Sequence, residues 1–378
     1  MKIIFFNIKI YQVFTILVLN LLFLATSVAQ EIVSYTKVDP KTEFQKLDGN
    51  SNGELDVTEI FQIWKQLRKF DANKNKKIDF EEFSKFEIPH LKTNGKKNLN
   101  IKYKTTEAED LYLDIYYPSQ NALNGKKFPV VFYTHGGGWF NGSKENIVRN
   151  PVALPFYKLL EHGFAVVSVN YRLTRRKTVL MRDCVIDAMD ALRFLSKNSD
   201  EYALDMNKVY PIGDSAGGHI AQMITLANPE NFKGDKKLQG NSYKIVAGIS
   251  WYGPSDFTIK KLFETTDKTK NPDRFSSRIT KTEKNKSKID KMYKEMSPIF
   301  YLTKYSPPLF IMAADNDTTI PVGHAYHIKK KADEINATVG LFIVKNAGHN
   351  WRKAGGKIDP TLEVITQKTV DFFLKYKQ

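Results

Sequence analysis

Residues 209–219, Val209-Tyr-Pro-Ile-Gly213-Asp214-Ser215-Ala216-Gly217-Gly218-His219, constrain the fold more than any other stretch. An apolar, β-branched run ends in Gly-Asp-Ser-Ala-Gly-Gly, and an Ala/Ile/Met-rich segment follows at once. A strand must therefore turn directly into a helix around Ser215. The glycines are needed because the chain turns sharply enough to hold the serine in a strained conformation, its hydroxyl at the head of the helix. The surroundings agree with that reading. The runs Phe128–Thr134, 165–170, 208–212, 245–251, 309–313 and Val339–Val344 are apolar or β-branched. Helical stretches such as Met181–Lys197 and 216–227 stand between most of them. This alternation from about residue 98 onward predicts an α/β domain, a mostly parallel sheet with helices on both faces.

A serine so placed needs a base, and the base needs an orienting acid. After the run 309–313 comes Asp315-Asn316-Asp317-Thr-Thr-Ile320-Pro321; after Val339–Val344 comes Asn346-Ala-Gly348-His349-Asn-Trp351. Both fall where strand ends meet the mouth of an open sheet, where α/β folds place their sites. The order Ser215, Asp317, His349 is the one this architecture requires. Asp315 is the competitor for the acid, and the distance of Asp317 from Ile320-Pro321 favours the latter. Upstream, His135-Gly136-Gly137-Gly138-Trp139 follows a strand. Its glycines let backbone N–H groups approach a substrate oxygen, with the N–H of Ala216 as complementary donor. Each such donor is worth about 3 kcal/mol in comparable oxyanion holes.

The remaining histidines carry weaker signals. His219 reads as a packing residue close to the pocket, and His135 as a brace for its glycine loop. His324 and His327 lack a carboxylate at metal-like spacing, and His90 and His162 lack local support. Cys184, beside Val185 and Ile186, reads as an inert packed thiol.

With these motifs in place, residues 98–378 resemble the α/β-hydrolase superfamily, specifically its serine esterases with an H-G-G-G loop and a G-D-S-A-G-G elbow. Leu113-Asp-Ile-Tyr-Tyr-Pro118, Asn170-Tyr-Arg-Leu173 and Tyr252-Gly-Pro-Ser-Asp256 extend the likeness. It is strongest to the bacterial feruloyl/acetyl-esterase-like branch (the BD-FAE type) and to the hormone-sensitive-lipase branch. The resemblance implies an α/β-hydrolase fold and a carboxylic-ester hydrolase. Ser215 would be the nucleophile, His349 the base and Asp317 the acid, with Gly137, Gly138 and Ala216 donating to the oxyanion. Segment 257–296, with 12 lysines and arginines in its length, departs from the pattern. Its bland reading is a solvated helical surface; the sharper one is a lid facing an acidic polysaccharide or its acylated side groups.

The N-terminal part reads differently. Residues 1–29 open with Lys2 and Lys9, continue through an apolar stretch and end in Ser27-Val-Ala29, the pattern of a cleaved signal peptide; a membrane anchor is the alternative. A secreted or periplasmic protein without a stable membrane anchor is expected. Residues 30–92 read as a helical EF-hand pair. Asp48, Asn50, Asn52, Glu54 (through its carbonyl), Asp56 and Glu59 fall at the ligand positions of a calcium loop, with Gly53 at the sharp turn. Asp71, Asn73, Asn75, Lys77 (through its carbonyl), Asp79 and Glu82 repeat the spacing, but Lys76 replaces the glycine and three lysines offset the carboxylates. One amphipathic helix over 60–70 would serve both loops. A static module stabilised by Ca2+, one site stronger than the other, is the expectation, with docking to a scaffold partner as an alternative role. The Lys-rich, acid-free segment 92–104 reads as linker, with the boundary at 93–97.

Composition narrows the function. The formal charge of +16 falls to +14 once Lys2 and Lys9 are removed, and one cysteine in 378 residues excludes a disulfide scaffold. No nucleic-acid motif accompanies the charge, so a small ester or acylated glycan is the expected partner and nucleic acid is not. The rivals are a peptidase of the prolyl-oligopeptidase kind and a non-catalytic binding protein on the same fold. No metal is expected in the ester chemistry itself.

Overall fold

The fold is seen in a computed structural model that describes residues 33–36, 40–48, 50–57, 67, 68, 70–85, 88–119, 127–149 and 151–377. The signal-peptide expectation, Glu59 and most of the helix expected over 60–70 lie outside these residues. In chain order the first elements are β1 (Val33–Thr36), α1 (Pro40–Leu47), β2 (Glu54–Asp56), β3 (Lys77–Asp79), α2 (Phe80–Ser84) and β4 (Ile88–Leu91). Next come β5 (Lys97–Thr105), β6 (Asp110–Tyr116), β7 (Phe128–Thr134), α3 (Ala153–Glu161), β8 (Ala165–Val169) and α4 (Met181–Lys197). Then follow β9 (Leu204–Asp214), α5 (Ala216–Leu226), β10 (Gly248–Trp251), α6 (Ser276–Ile279) and α7 (Lys286–Glu295). The last are β11 (Leu309–Ala314), α8 (Gly323–Glu334), β12 (Val339–Val344) and α9 (Leu362–Tyr376).

Strands β5 to β12 form an 8-stranded sheet in the order β12-β11-β10-β9-β7-β8-β6-β5. The run from β8 to β12 is parallel throughout, and β6 opposes both of its neighbours. Parallel strands covered on both faces read as continuous apolar runs; in β8, Ala-Val-Val-Ser-Val is buried at all of its positions. Successive side chains point to opposite faces. In β7, Val130 and Phe132 join a cluster with Met189 and Leu192 of α4 and Ile220 and Met223 of α5. Val131 and Tyr133 join Phe156 of α3 and Phe373 of α9 on the other side. Helix α8 packs its Ala325, Ile328 and Ala332 against β11 and β12.

The expected linker is corrected. Residues 97–105 form β5, paired antiparallel with β6, so sheet structure begins within the stretch read as connecting chain. Its lysines misled because their counter-charges are remote: Lys104 Nζ lies 2.7 Å from both Asp187 and Asp190 of α4. The boundary moves back further, into the supposed EF-hand segment. Leu91 of β4 is fully buried in the same cluster as Tyr116, Val131 and Ile147. His90, expected to lack support, is buried with its Nδ1 3.4 Å from the Tyr116 hydroxyl and 3.9 Å from Asp114. Lys144 Nζ meets the same Asp114 carboxylate at 2.9 Å and Glu145 at 2.7 Å. Burial alone would lower the Lys144 pKa, but the two carboxylates outweigh it and raise it. β1 pairs antiparallel with β4, so the paired loops between them leave and rejoin the body through one two-stranded ribbon.

Candidate functional site

β9 ends at Asp214 and α5 begins at Ala216, leaving Ser215 alone in the turn with φ 54° and ψ −117°. A side-chain-bearing residue is strained there. Two backbone bonds hold it: the Ser215 N–H donates to the Trp251 carbonyl at 2.8 Å, and His219 N–H donates to the Ser215 carbonyl at 3.0 Å. Gly217 is required by close approach, since a Cβ there would stand 1.9 Å from the Thr134 carbonyl oxygen. The elbow is thus pressed against the end of β7.

The structure brings Ser215, His349 and Asp317 together. Ser215 Oγ lies 2.9 Å from His349 Nε2, and His349 Nδ1 lies 2.6 Å from Asp317 Oδ2. The other Asp317 oxygen accepts the N–H groups of Thr319 at 2.7 Å and Ile320 at 2.9 Å, which fixes the carboxylate's orientation. Asp315, the competitor, instead accepts from Ala347 N–H at 3.3 Å. With the bond from Asn316 N–H to the Ala347 carbonyl, this ties the acid's loop to the histidine's loop. Tyr252 presses its ring against the His349 ring at 4.9 Å. A hydroxyl, an imidazole and a carboxylate linked in this way can move a proton off the hydroxyl and hold the resulting charge.

Gly137 and Gly138 adopt φ 124° and φ 64° after β7. Among the described residues nothing accepts a hydrogen bond from either N–H, so both remain available as donors. Ala216 opens α5 beside Ser215. Sequence reasoning missed Asp214, whose buried Oδ1 accepts from Gly136 N–H and from the Tyr133 hydroxyl, each at 2.8 Å. That carboxylate links elbow to glycine loop, and its position one residue before the serine was the available signal.

Segment 257–296 does not behave as a purely solvated surface. Phe263, Ile279, Tyr293 and Met296 are buried in the main core, and Phe275 meets Trp139 edge-on at 5.3 Å. Arg274 donates to the Thr319 carbonyl at 2.6 Å and Lys270 to the Thr318 hydroxyl at 2.7 Å, so the segment reaches the acid's loop. Its solvated part includes Lys260 and Lys261 as well as Lys286 and Lys288 of α7.

His135 and His219 are buried in the packing around the site. His135 bonds the Gly136 carbonyl at 2.7 Å and stacks on Tyr171 at 4.2 Å. His219 bonds the Met296 carbonyl at 2.8 Å. His327 has a carboxylate partner that its sequence neighbours did not reveal, Asp256 at 3.1 Å. Cys184 is buried, and burial pushes its thiol pKa well up. A cavity of about 530 Å3 between Lys208, Tyr210, Lys244, Tyr305 and Tyr376 opens at the amino ends of the strands, the end opposite Ser215.

Comparison with known proteins places this geometry. The BD-FAE family model matches residues 113–332, more than half of the chain. The chain belongs to the BD-FAE family. The matched region includes Ser215 and Asp317 and stops before His349. Among curated relatives, the Mycobacterium tuberculosis protein named "Probable carboxylic ester hydrolase LipM" is 28% identical over 216 residues, 57% of this chain and 47% of LipM. The chain thus spans about half the length of that relative. The thermophilic esterase Est2 of Thermogutta terrifontis superposes with a TM-score of 0.58 at 23% identity, over 73% of this chain and 90% of Est2. A truncated carbohydrate esterase from gut microbiota gives 0.59 at 21% identity, over 75% and 96%. These structures share the α/β-hydrolase fold of this BD-FAE member.

The N-terminal loops are built alike. Asp48 accepts from the N–H groups of Asn52 and Gly53, and Asp71 accepts from those of Asn75 and Lys76, at 2.9–3.1 Å. Gly53 and Lys76 both carry positive φ, 81° and 61°, so the lysine takes up the glycine's conformation. β2 pairs antiparallel with β3, setting Leu55 opposite Ile78. Both are fully buried with Phe44, Leu67 and Phe83. The oxygen donors of the first loop suit a hard cation. In the second, Glu82 turns both oxygens to backbone N–H groups, of Ala72 at 2.7 Å and Asp79 at 3.2 Å. Among the described residues no three His, Cys, Asp or Glu side chains gather closely enough to hold a metal.

Proposed function

We propose that this BD-FAE member is a serine hydrolase of carboxylic esters. The observation that carries the reading is the hydrogen-bonded chain from Ser215 Oγ through His349 to Asp317, set on a strained elbow beside free glycine N–H donors. Ser215 Oγ attacks the ester carbonyl carbon while His349 Nε2 takes the hydroxyl proton. The imidazolium that forms is stabilised by Asp317, and the N–H groups of Gly137, Gly138 and Ala216 face the new oxyanion. Collapse expels the alcohol, which receives the proton from His349, and leaves the acyl group on Ser215. Water then gives a proton to His349 and attacks the acyl carbon; the bond to Ser215 Oγ breaks, Oγ takes the proton back from His349, and the carboxylic acid leaves.

Acyl groups on carbohydrates are the substrates we favour, supported by the fold shared with a gut carbohydrate esterase and by the cationic segment beside the site. We further propose that the chain is exported and that the loop beginning at Asp48 holds a structural calcium ion. Asp48, Asn50, Asn52, Asp56, Glu59 and the Glu54 carbonyl would be its ligands. Asp71, Asn73, Asn75, Asp79, Glu82 and the Lys77 carbonyl would form a weaker site. The decisive experiment is Ser215→Ala: hydrolysis of short p-nitrophenyl esters should fall by at least about 10^4-fold in kcat with circular dichroism unchanged. Undiminished turnover would refute the assignment.

A further inference from the structure

Among the described residues, four cations packed inside the fold are held by carboxylates. Lys104 and Lys144 each meet two, and Arg172 and Arg193 have Asp187 and Asp190 at 2.7 Å. Half-buried Arg278, on α6, has no carboxylate partner among the described residues and stands at a consequential place. Its Nη2 lies 3.8 Å and its Cζ 3.9 Å from where a Cβ on Gly138 would stand, so the guanidinium neighbours one of the two free N–H donors of the glycine loop. Its faces are occupied, with the Phe275 ring centroid at 5.0 Å and that of Phe140 at 5.8 Å. Its edge is not. Nη1 donates weakly to the Arg274 carbonyl at 3.3 Å, and Nε is buried without a partner among the described residues.

Burial disfavours the charge and lowers the Arg278 pKa, with no carboxylate countering it. Arg274, one turn earlier, is committed differently: its amines go to the carbonyls of Phe263, Asn271 and Thr319, and Asp317 lies within its field. A guanidinium that rests on aromatic rings and whose Nη2 has no hydrogen-bond partner among the described residues suits a carboxylate, which accepts a charge-assisted hydrogen bond from it. Ring contacts alone would leave that amine without a protein acceptor, and a carboxylate supplies one.

We propose that Arg278 binds a carboxylate of the substrate, so that the preferred ester carries an anionic group within a few ångströms of its scissile carbonyl. The proposal rests on the ester-hydrolase reading above. Such a carboxylate lies either on the acyl part, as in a dicarboxylic half-ester, or on the alcohol part, as in an O-acetylated uronic acid.

Two matched pairs test it: p-nitrophenyl hemisuccinate against p-nitrophenyl valerate, and an O-acetyl uronic acid glycoside against its uncharged amide. The ratio of kcat/KM, charged over neutral, should drop about tenfold or more in Arg278→Gln for one of the pairs. That pair identifies which part carries the charge, and Arg278→Lys should recover part of the ratio. Equal ratios in wild type and Arg278→Gln for both pairs would overturn the proposal. Should Arg278→Gln fail to fold, the wild-type ratio is read against salt. A preference for the charged ester that shrinks from low to high ionic strength supports the assignment, and absence of any preference overturns it. If the wild type hydrolyses none of the four esters, the ester-hydrolase reading itself falls, an outcome distinct from a loss of charge preference.

Discussion

The loop that starts at Asp48 and the site around Ser215 both converge polar side chains on a point, but over different spans of chain. In the loop the bonds reach two to five residues: Asn52 to Asn50, Asn52 to Asp48, Gly53 to Asp48. In the site, His349 reaches back 134 residues to Ser215 and 32 to Asp317. A locally bonded loop can be copied whole, as 71–77 copies 48–54, and it tolerates a poor substitution such as Lys76. The dispersed site cannot be copied without the sheet that assembles it. Its proton path is closed by hydrogen bonds between side chains, whereas the loop's side-chain oxygens accept its own backbone N–H groups.

The comparison breaks most sharply at Asp317. In Asp317→Asn the amide can still accept from Thr319 and Ile320 N–H, so the loop should keep its shape while offering the wrong group to His349 Nδ1. A fall in kcat of about 10^3–10^4 at unchanged KM is expected, by analogy with the chymotrypsin triad. A loss below tenfold in steady-state kinetics would move the orienting role elsewhere.

Acid should separate the two regions next. Burial lowers the pKa values of His135 and His219 to about 4 and of His324 to about 3. The unfolded chain binds those protons near pH 6.5 while the folded chain refuses them. Their contribution is therefore complete above pH 6.5 and drains as the pH falls toward 4, by up to ~1.4 kcal/mol per pH unit for each histidine. Urea unfolding followed at pH 7, 6 and 5 should show the decline. In His219→Gln the proton uptake on unfolding at pH 5 should drop by about one, and an unchanged uptake would contradict the buried neutral state. The paired loops contain no histidine and take no part in this histidine-linked decline.

Calcium should act on the loops alone, and least. Millimolar Ca2+ should raise the thermal midpoint by roughly 2–5 °C in scanning calorimetry and a chelator should reverse it, with kcat at 25 °C unaffected. Asp48→Ala should remove most of the shift. No shift in the wild type would sink the calcium assignment.

The reach of each interaction also governs what could be read from sequence. Phe128–Thr134, Val339–Val344 and Met181–Lys197 match their elements at both ends because their apolar periodicity is a local property. Ser215, Asp317 and His349 were legible because each sits in a short motif tied to a strand end. What escaped was set by partners far along the chain. Lys104 looks solvated until α4 supplies Asp187 and Asp190, and His90 looks unsupported until Asp114 and Tyr116 close around it. Arg278 is one cation among 12 in its segment, and only the fold shows that it alone neighbours Gly138.

The ribbon of β1 and β4 makes the paired loops an excision cassette. Thr36 and Ile88 face each other across it, so a two-residue hairpin turn could join them and delete everything between. Trimming from the N-terminus to residue 97 would strip Leu91 and His90 from the body and leave the Tyr116 side of the core uncovered. Protein engineers seeking a minimal version of this chain should splice inside the ribbon and keep both of its strands.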